Sequence, residues 1–463
     1  MLTDSPANSQ WLSRAKTSGN NWSVATANNG VLFNDGPVGG AVWSDGQNNQ
    51  SLIFGCGLWI GGKIYSPISG QLKSSTITFD PSTGQGDFCP GSLLFNGAHI
   101  DSGSTASEKY RVYESSTDRP EEWPMRLVQS TPTYIDNITD RSLAGQPSYI
   151  GDEDLFSICK NTDTGFFTLW HKPQPISHFE IRTQIGTWHK GLGADVVIVK
   201  NKIIYLDTNT LYDPVVALAI DPDLPVIHES SDHSYGFLTD SISGCMVSAF
   251  DAVPALGIFL LRGFSFANYP DAGMTGLHQW SISTDPPSRE LRYDFMVDTT
   301  KDLTSQFAGD LRIMISSKQS QPLHSKDTIS FDYALFAFQP EQSGKKGDTA
   351  SLKKVIETGK IIKNLYDKST LNKLDAKNEY HPSQSGTLSV YPQPSQSECT
   401  IMTDGESIKS IHLFDVSGRE IRIASQPILS ESKMTLSTSS LPQGFYTLCI
   451  NNHLRTKLIV RKN

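Results

Sequence analysis

The 463-residue sequence is short of several things, and each shortage closes off a class of function. No apolar run approaches the roughly 18 to 20 residues needed to cross a bilayer as a helix. The best stretch, Val253 through Leu261, is interrupted by Pro254 and Gly257 and stops at Arg262. The N-terminus, MLTDSPANSQWLSRAK, lacks the apolar centre of a secretory signal peptide. Cysteines stand only at 56, 89, 159, 245, 399 and 449, with no CxxC spacing, so zinc-ribbon and thioredoxin-type motifs are missing. Six in such a length are too few for a disulfide scaffold. Cys399 and Cys449 share the final segment, either bridged or as two buried thiols. Charged residues make up only 19%, and their balance of −9 argues against nucleic acid as a partner. There is no Gly-x-Ser-x-Gly elbow, Walker loop or His-Glu-x-x-His, and Gly191-Leu192-Gly193 is an incomplete dinucleotide fingerprint. No catalytic residue is assigned.

What is present is β-structure. Over the first 340 residues, turn residues recur every 8 to 12 positions or so, with short β-branched and aromatic runs between them. SLIFGCGLWIGGKIY (51–65) reads as a strand, a glycine turn and a second strand. FFTLW, HFEIRTQIGTW, DVVIVKNKIIYL, PVVALAID, GCMVSAFDAV, LGIFLLRGF, LRYDFMV, DLRIMIS and TISFDYALFAF continue the series. No helical periodicity separates them, which predicts a large antiparallel β-sandwich region over 20–340 after an N-terminal segment, 1–19. A break into two subdomains is placed near 145–180.

One helix is predicted within 341–368. Leu352, Val355, Ile356, Ile362, Leu365 and Tyr366 recur at i, i+3, i+4 spacing, with Lys353, Lys354, Glu357, Lys360 and Lys363 between them and Asp348 ahead as a cap. Such a stripe packs on a sandwich or, being basic on its other face, lies on a membrane surface. A polar linker follows at 369–387. The last unit, 388–463, has strand runs separated by turns such as VSGR and LPQG, which fits a small Ig-like sandwich.

That last unit resembles the type A C-terminal sorting domain of type IX secretion substrates of Bacteroidetes and neighbouring phyla. The matching elements come in order: Val390-Tyr391-Pro392-Gln393-Pro394, then Leu413-Phe414-Asp415-Val416-Ser417-Gly418-Arg419, then Leu441-Pro442-Gln443-Gly444-Phe445-Tyr446, and finally Lys457-Leu458-Ile459-Val460-Arg461-Lys462. Gly418 and Gly444 suit turns that need positive φ. Relatives carry Pro-Asn-Pro where Pro392-Gln393-Pro394 stands. The resemblance implies export to the periplasm, passage across the outer membrane through the type IX machinery, and cleavage of the sorting domain. Release or anchoring to surface lipopolysaccharide follows, and the absent signal peptide is expected to have been trimmed. The first 380 residues look more loosely like uncharacterised secreted proteins of the same bacteria. That likeness rests on Asn20-Asn21-Trp22, Asn28-Asn29-Gly30, Gly57-Leu58-Trp59-Ile60-Gly61-Gly62, Pro147 with Gly151-Asp152-Glu153-Asp154, and Asp221-Pro222-Asp223. It supplies no activity.

Two constellations are candidates for chemistry. Asp152, Glu153 and Asp154 in one loop, with Asp163 following, offer the carboxylates that calcium needs. Asp221-Pro222-Asp223 and Asp136-Asn137 with Asp140 are further acid groups, and solvated turn acids are the other reading of all three. Trp170-His171-Lys172 is echoed by Trp188-His189-Lys190, a pattern suited to an aromatic platform for sugar or to plain packing at strand ends. His171, His178 and His189 match no zinc spacing. The reading is an extracellular, non-catalytic protein that adheres, binds or builds. A secreted polysaccharide hydrolase or carbohydrate-binding protein and a self-assembling surface subunit are the alternatives.

Overall fold

The computed structural model describes residues 12–17, 21–35, 39–44, 49–80, 86–91, 110–135, 138–162, 174–224, 233–239, 242–248, 254–267, 269–302, 310–338, 349–369, 371–374, 388–403, 407–408, 410–415, 419–421, 432–450 and 454–462. The chain divides into two compact units, Met1–Asn378 and Glu379–Asn463.

In the first unit an eight-stranded sheet runs in the order β1 (Arg14–Lys16), β2 (Trp22–Ala27), β3 (Ala41–Ser44), β4 (Asn49–Ser66), β13 (Leu211–Pro222), β18 (Leu311–Lys318), β17 (Gly276–Ser281), with β5 (Gly70–Ile77) also on β4. A nine-stranded sheet runs β14 (His233–Thr239), β15 (Ile242–Ser248), β16 (Ala255–Phe266), β19 (Thr328–Phe338), β12 (Val196–Tyr205), β11 (Phe179–Thr187), β10 (Glu153–Lys160), β6 (Cys89–Pro90). On this sheet β7 (Tyr113–Glu114) also pairs with β10, and a separate hairpin joins β8 (Met125–Val128) to β9 (Thr131–Tyr134). Alternation along each strand sends one set of side chains inward. Leu58, Ile60, Leu218 and Ile220 from one sheet meet Ile181, Ile185, Val197, Val199, Phe331 and Tyr333 from the other in a single core. This is a sandwich. The 145–180 stretch does not divide it, because β10 and β11 pair along their whole length.

Two sequence expectations fail here for packing reasons. SLIFGCGLWIGGKIY is one continuous strand, β4, rather than a hairpin. Its glycines serve close approach: a Cβ on Gly55 would sit 2.2 Å from the Phe79 ring and one on Gly62 would sit 2.5 Å from Leu211. LRYDFMV is helical. After a short helix α1 (Ile138–Leu143), it lies in α2 (Arg289–Val297), where the Ser288 hydroxyl accepts the Leu291 N–H at 3.2 Å as an N-cap. Tyr293 and Met296 then cover the outer face of the eight-stranded sheet against Trp59, Ala217 and Met314.

The basic amphipathic helix forms as α3 (Thr349–Asp367). Val355, Ile362 and Tyr366 are buried, with Leu352, Ile356 and Leu365 beside them, against Trp188, Ile198, Phe259 and Phe336 on the outer face of the nine-stranded sheet. Lys353 and Lys360 are exposed. Asp348 lies outside the described residues. Asp195 ties the two sheets at one end, accepting Nδ2 of Asn21 and Nε1 of Trp43 on its carboxylate, both at 2.9 Å, and Nε1 of Trp22 on its carbonyl at 2.8 Å.

The second unit has a three-stranded sheet, β20 (Leu388–Tyr391), β21 (Glu398–Thr403), β24 (Lys433–Ser437), and a four-stranded sheet, β23 (Glu420–Ile421), β22 (Ile411–Phe414), β25 (Gly444–Ile450), β26 (Leu454–Val460). Ile401, Leu413, Leu436, Leu448 and Leu458 pack between them. Cys399 and Cys449 are buried free thiols, as are the other four cysteines.

Candidate functional site

On the outer face of the nine-stranded sheet, beyond the end of α3, lies a cavity of about 890 Å³. That volume falls within the range of about 300 to 1,000 Å³ common for small-ligand sites. Its floor comes from strand register. Phe156, Gln184, Lys200, Asp332 and Arg262 stand opposite one another across β10, β11, β12, β19 and β16. The next outward row holds Arg182 and Lys202, paired across β11 and β12. The β8–β9 hairpin walls one side, and Tyr366, Ser369 and Leu371 at the end of α3 wall the other. Arg262 reaches this face through an irregularity: the register of β16 on β19 shifts between Leu260 and Arg262 and again before Ser265. Bulges re-aim side chains in this way.

Four cations and one carboxylate line the cavity among the described residues. Arg182 is committed to Glu180, Nε to Oε1 at 2.7 Å, and its guanidinium lies 4.4 Å from the centre of the Tyr134 ring. Lys202 donates to the Ser330 hydroxyl at 2.6 Å. Asp332 is buried and accepts the Asn201 N–H at 3.0 Å on one oxygen and the Tyr366 hydroxyl on the other. That leaves Lys200 and Arg262, both half-buried, flanking Asp332 without a side-chain hydrogen bond or ion pair among the described residues. Their recorded contacts are with the Tyr366 ring, at 5.5 and 5.4 Å. Burial pulls the Lys200 ammonium below its ordinary value, and the charge of Asp332 opposes that. Burial and Asp332 together push the Tyr366 phenol up, so it stays a neutral donor.

The hairpin wall is held under strain. Gln129 and Ser130, the two turn residues, both have positive φ, 48° and 66°, which fits a type I′ turn normally built from Asn-Gly. Two buried arginines fix this lobe. Arg126 donates to the carbonyls of Ala144 at 2.8 Å, Pro120 at 2.6 Å and Gly145, and Arg141 donates to those of Ile135 at 2.6 Å and Glu122 at 2.8 Å. At the cavity edge, Tyr149 keeps 42% of its surface exposed, with Trp123 5.1 Å away holding its ring.

The residues singled out from sequence fall elsewhere. Strand alternation splits the first acid cluster: Asp152 is exposed, while Glu153 and Asp154 are successive on β10 and point to opposite faces. Asp154 accepts N–H groups from Ile150 at 2.7 Å, Gly151 at 2.8 Å and the Gln184 amide at 2.6 Å. Burial nevertheless pushes its carboxyl up to about 7. Asp163 and Trp170 lie outside the described residues, as do Asp136, Asn137 and His171. Among the described residues no three His, Cys, Asp or Glu side chains are grouped to hold a metal. Asp221 is buried beside Arg312 at 3.5 Å, and Asp223 is exposed. Trp188 is only 1% exposed and packs beneath α3, so it offers no face to a sugar. Sequence reasoning missed the cations, although charges at alternate positions inside apolar strands (Lys200 and Lys202 in VVIVKNKIIY) were the available signal.

In the second unit the motif residues have mechanical roles. Pro392 and Pro394 are exposed and flank Gln393, whose amide donates to the Lys457 carbonyl at 2.7 Å and accepts the Ile459 N–H at 3.2 Å. Asp415 accepts the Arg419 N–H at 3.0 Å, and Gly418 lies outside the described residues. Gly444 departs from expectation: it opens β25 opposite Val460, without a positive φ. The Tyr446 hydroxyl donates to the Pro442 carbonyl at 2.7 Å, and Lys457 Nζ lies 4.1 Å from the centre of the Phe445 ring.

Residues 389–461 match the secretion system C-terminal sorting domain. No curated protein matches the chain. Among solved structures, a bacterial glucoamylase complexed with acarbose aligns with TM-score 0.35 and 11% identity, over 79% of this chain and 39% of that one. A polysaccharide lyase aligns with TM-score 0.20 and 10% identity, over 63% of this chain and 36% of that one. The chain thus spans well under half the length of either, and likeness at this level says nothing of reaction or ligand. Among the described residues no helix is long and apolar enough to cross a membrane. With its sorting domain at 389–461, the chain is a secreted protein of the Bacteroidetes type.

Proposed function

We propose that this chain is an exported, non-catalytic binding protein: the sorting unit takes it through the type IX machinery, and the first unit holds an extracellular polysaccharide in the cavity beside α3. The observation behind this reading is the floor of that cavity, where polar side chains from four adjacent strands line the space next to the exposed Tyr149 ring. Aromatic faces and hydrogen-bonding groups set in a concave wall are what an amphipathic sugar chain needs. Retention at the cell surface after cleavage belongs to the same reading.

The test is native electrophoresis of the full chain through gels cast with neutral or acidic soluble polysaccharides. Thr328 is exposed on β19 and lines the cavity, so Thr328→Trp places a bulky ring in it without disturbing the core. Retardation by at least one polysaccharide, lost in Thr328→Trp, is the expected result. Unretarded migration in every gel, or equal retardation of the variant, overturns the reading.

A further inference from the structure

We infer that the group recognised in the cavity is a carboxylate, so that its ligand is an acidic saccharide, a chain bearing uronic acid units. This rests on the cavity being a polysaccharide site, and it adds the ligand's chemical class.

Charge is the starting point. The protein as a whole carries −9, yet four cations line this cavity against one carboxylate. Each oxygen of Asp332 already accepts one hydrogen bond, from Asn201 and from Tyr366. Lys200 and Arg262 stand on either side of it in one cross-strand row, with their donors unclaimed among the described residues. Lys200 and Arg262 share the one charge of Asp332, so their row keeps a net positive charge for an anion from outside the fold to neutralise. An arginine fork and an ammonium converging on one space suit a carboxylate, which accepts both in charge-assisted hydrogen bonds.

The second row repeats the arrangement. Arg182 and Lys202 stand opposite each other, two residues along β11 and β12 from Gln184 and Lys200, a displacement of about 7 Å along the strands. Arg182 is half neutralised by Glu180, so this row is the weaker. A ligand bearing acids on successive units meets both rows, whereas a single small anion meets one. Tyr149 at the edge supplies an uncharged face for a sugar ring, and Gln184 in the first row, its amide hydrogens held by Ser148 and Asp154, has its oxygen to offer a hydroxyl. A phosphate polymer carries a charge at every backbone unit and gains most from a continuous track of cations, whereas the cations here are confined to two short rows of two.

The experiment is calorimetric titration of the full chain at low salt with three probes: oligogalacturonate, the same oligosaccharide methyl-esterified so that only its charges are removed, and a single-stranded oligodeoxynucleotide. Oligogalacturonate is expected to bind at least about tenfold more tightly than the ester, with affinity falling as salt rises. Lys200→Met and Arg262→Met are each expected to weaken it by about tenfold or more, while Lys200→Arg retains it. Unchanged melting temperatures show the variants folded, and the exposed Lys202→Ala, with a smaller loss, serves if either does not. Equal binding of acid and ester, lost in Thr328→Trp, overturns the carboxylate assignment and leaves the polysaccharide site standing. Tighter binding of the oligonucleotide overturns the saccharide class, and no binding of either saccharide overturns the acidic-saccharide assignment, while the gel panel decides the polysaccharide reading separately.

Discussion

The two faces of the nine-stranded sheet are made by the same strands and do opposite work. On β12, Val197, Val199 and Ile203 point into the sandwich core, while Lys200 and Lys202 point out into the cavity. On β19 the inward set is Ile329, Phe331, Tyr333 and Leu335, and the outward set changes character along the strand. Ala334, Phe336 and Phe338 lie under α3, whereas Thr328 and Asp332 border open space. The lesson concerns coverage. Alternation decides which residues leave the core, and the length of α3 decides which of those stay dry. Where the helix ends, the outward face turns polar and becomes a wall that can bind.

That contrast is most sharply broken from the inside. Phe331→Ala removes a fully buried ring and is expected to cost about 3 to 5 kcal/mol in chemical denaturation. Asp332→Ala, one residue along and on the other face, strands the Asn201 N–H and the Tyr366 hydroxyl, for a loss of about 1 to 3 kcal/mol. It also removes the carboxylate that competes for Lys200 and Arg262, so binding of acidic saccharide is expected to hold or tighten while stability falls.

Asp154, at the start of β10 on the outward face, gives a pH signature. Its carboxyl is raised to about 7 by burial, above the ordinary value near 3.8, so the folded state holds its proton more tightly than the unfolded chain does. Its contribution to stability is therefore greatest below about pH 4, is lost as pH rises toward 7, and is flat above that. Denaturant midpoints measured across that window should fall for the native chain, with this slope flattened in Asp154→Asn. Gln129-Ser130→Asn-Gly relieves two left-handed residues at the cavity rim and should add about 1 kcal/mol. Smallest of all is Asp367→Ala. It breaks an exposed pair with Lys363 at 2.6 Å on the far side of α3, and the expected change is under about 0.5 kcal/mol.

Much of the fold was legible because its signals are local. The α3 stripe, the antiparallel runs and the ordered motifs of the second unit all repeat within a few residues. The misreadings came where tertiary packing outweighed local pattern. The glycines of β4 looked like a turn until Phe79 and Leu211 occupied their Cβ space, and LRYDFMV looked like a strand although Tyr293 and Met296 pack side by side on Trp59 and Met314 from one helix face. The cavity was illegible as a unit because its members come from β8 to β12, β16, β19 and α3, far apart in sequence. Trp188 looked like a sugar platform and proved to be floor beneath the helix, since nothing in a single strand shows which face another element will cover.

The most direct measurement is lysine acylation of the full chain, read by mass spectrometry, with and without oligogalacturonate. With ligand at about ten times its Kd, labelling of Lys200 and Lys202 should slow about tenfold. Lys63 and Lys73, held by Asp213 and Asp294 on the eight-stranded sheet, should label unchanged. Protection of Lys63 or Lys73 instead, or bound ligand that leaves Lys200 and Lys202 fully reactive, would contradict the assignment of this outer face as the binding surface.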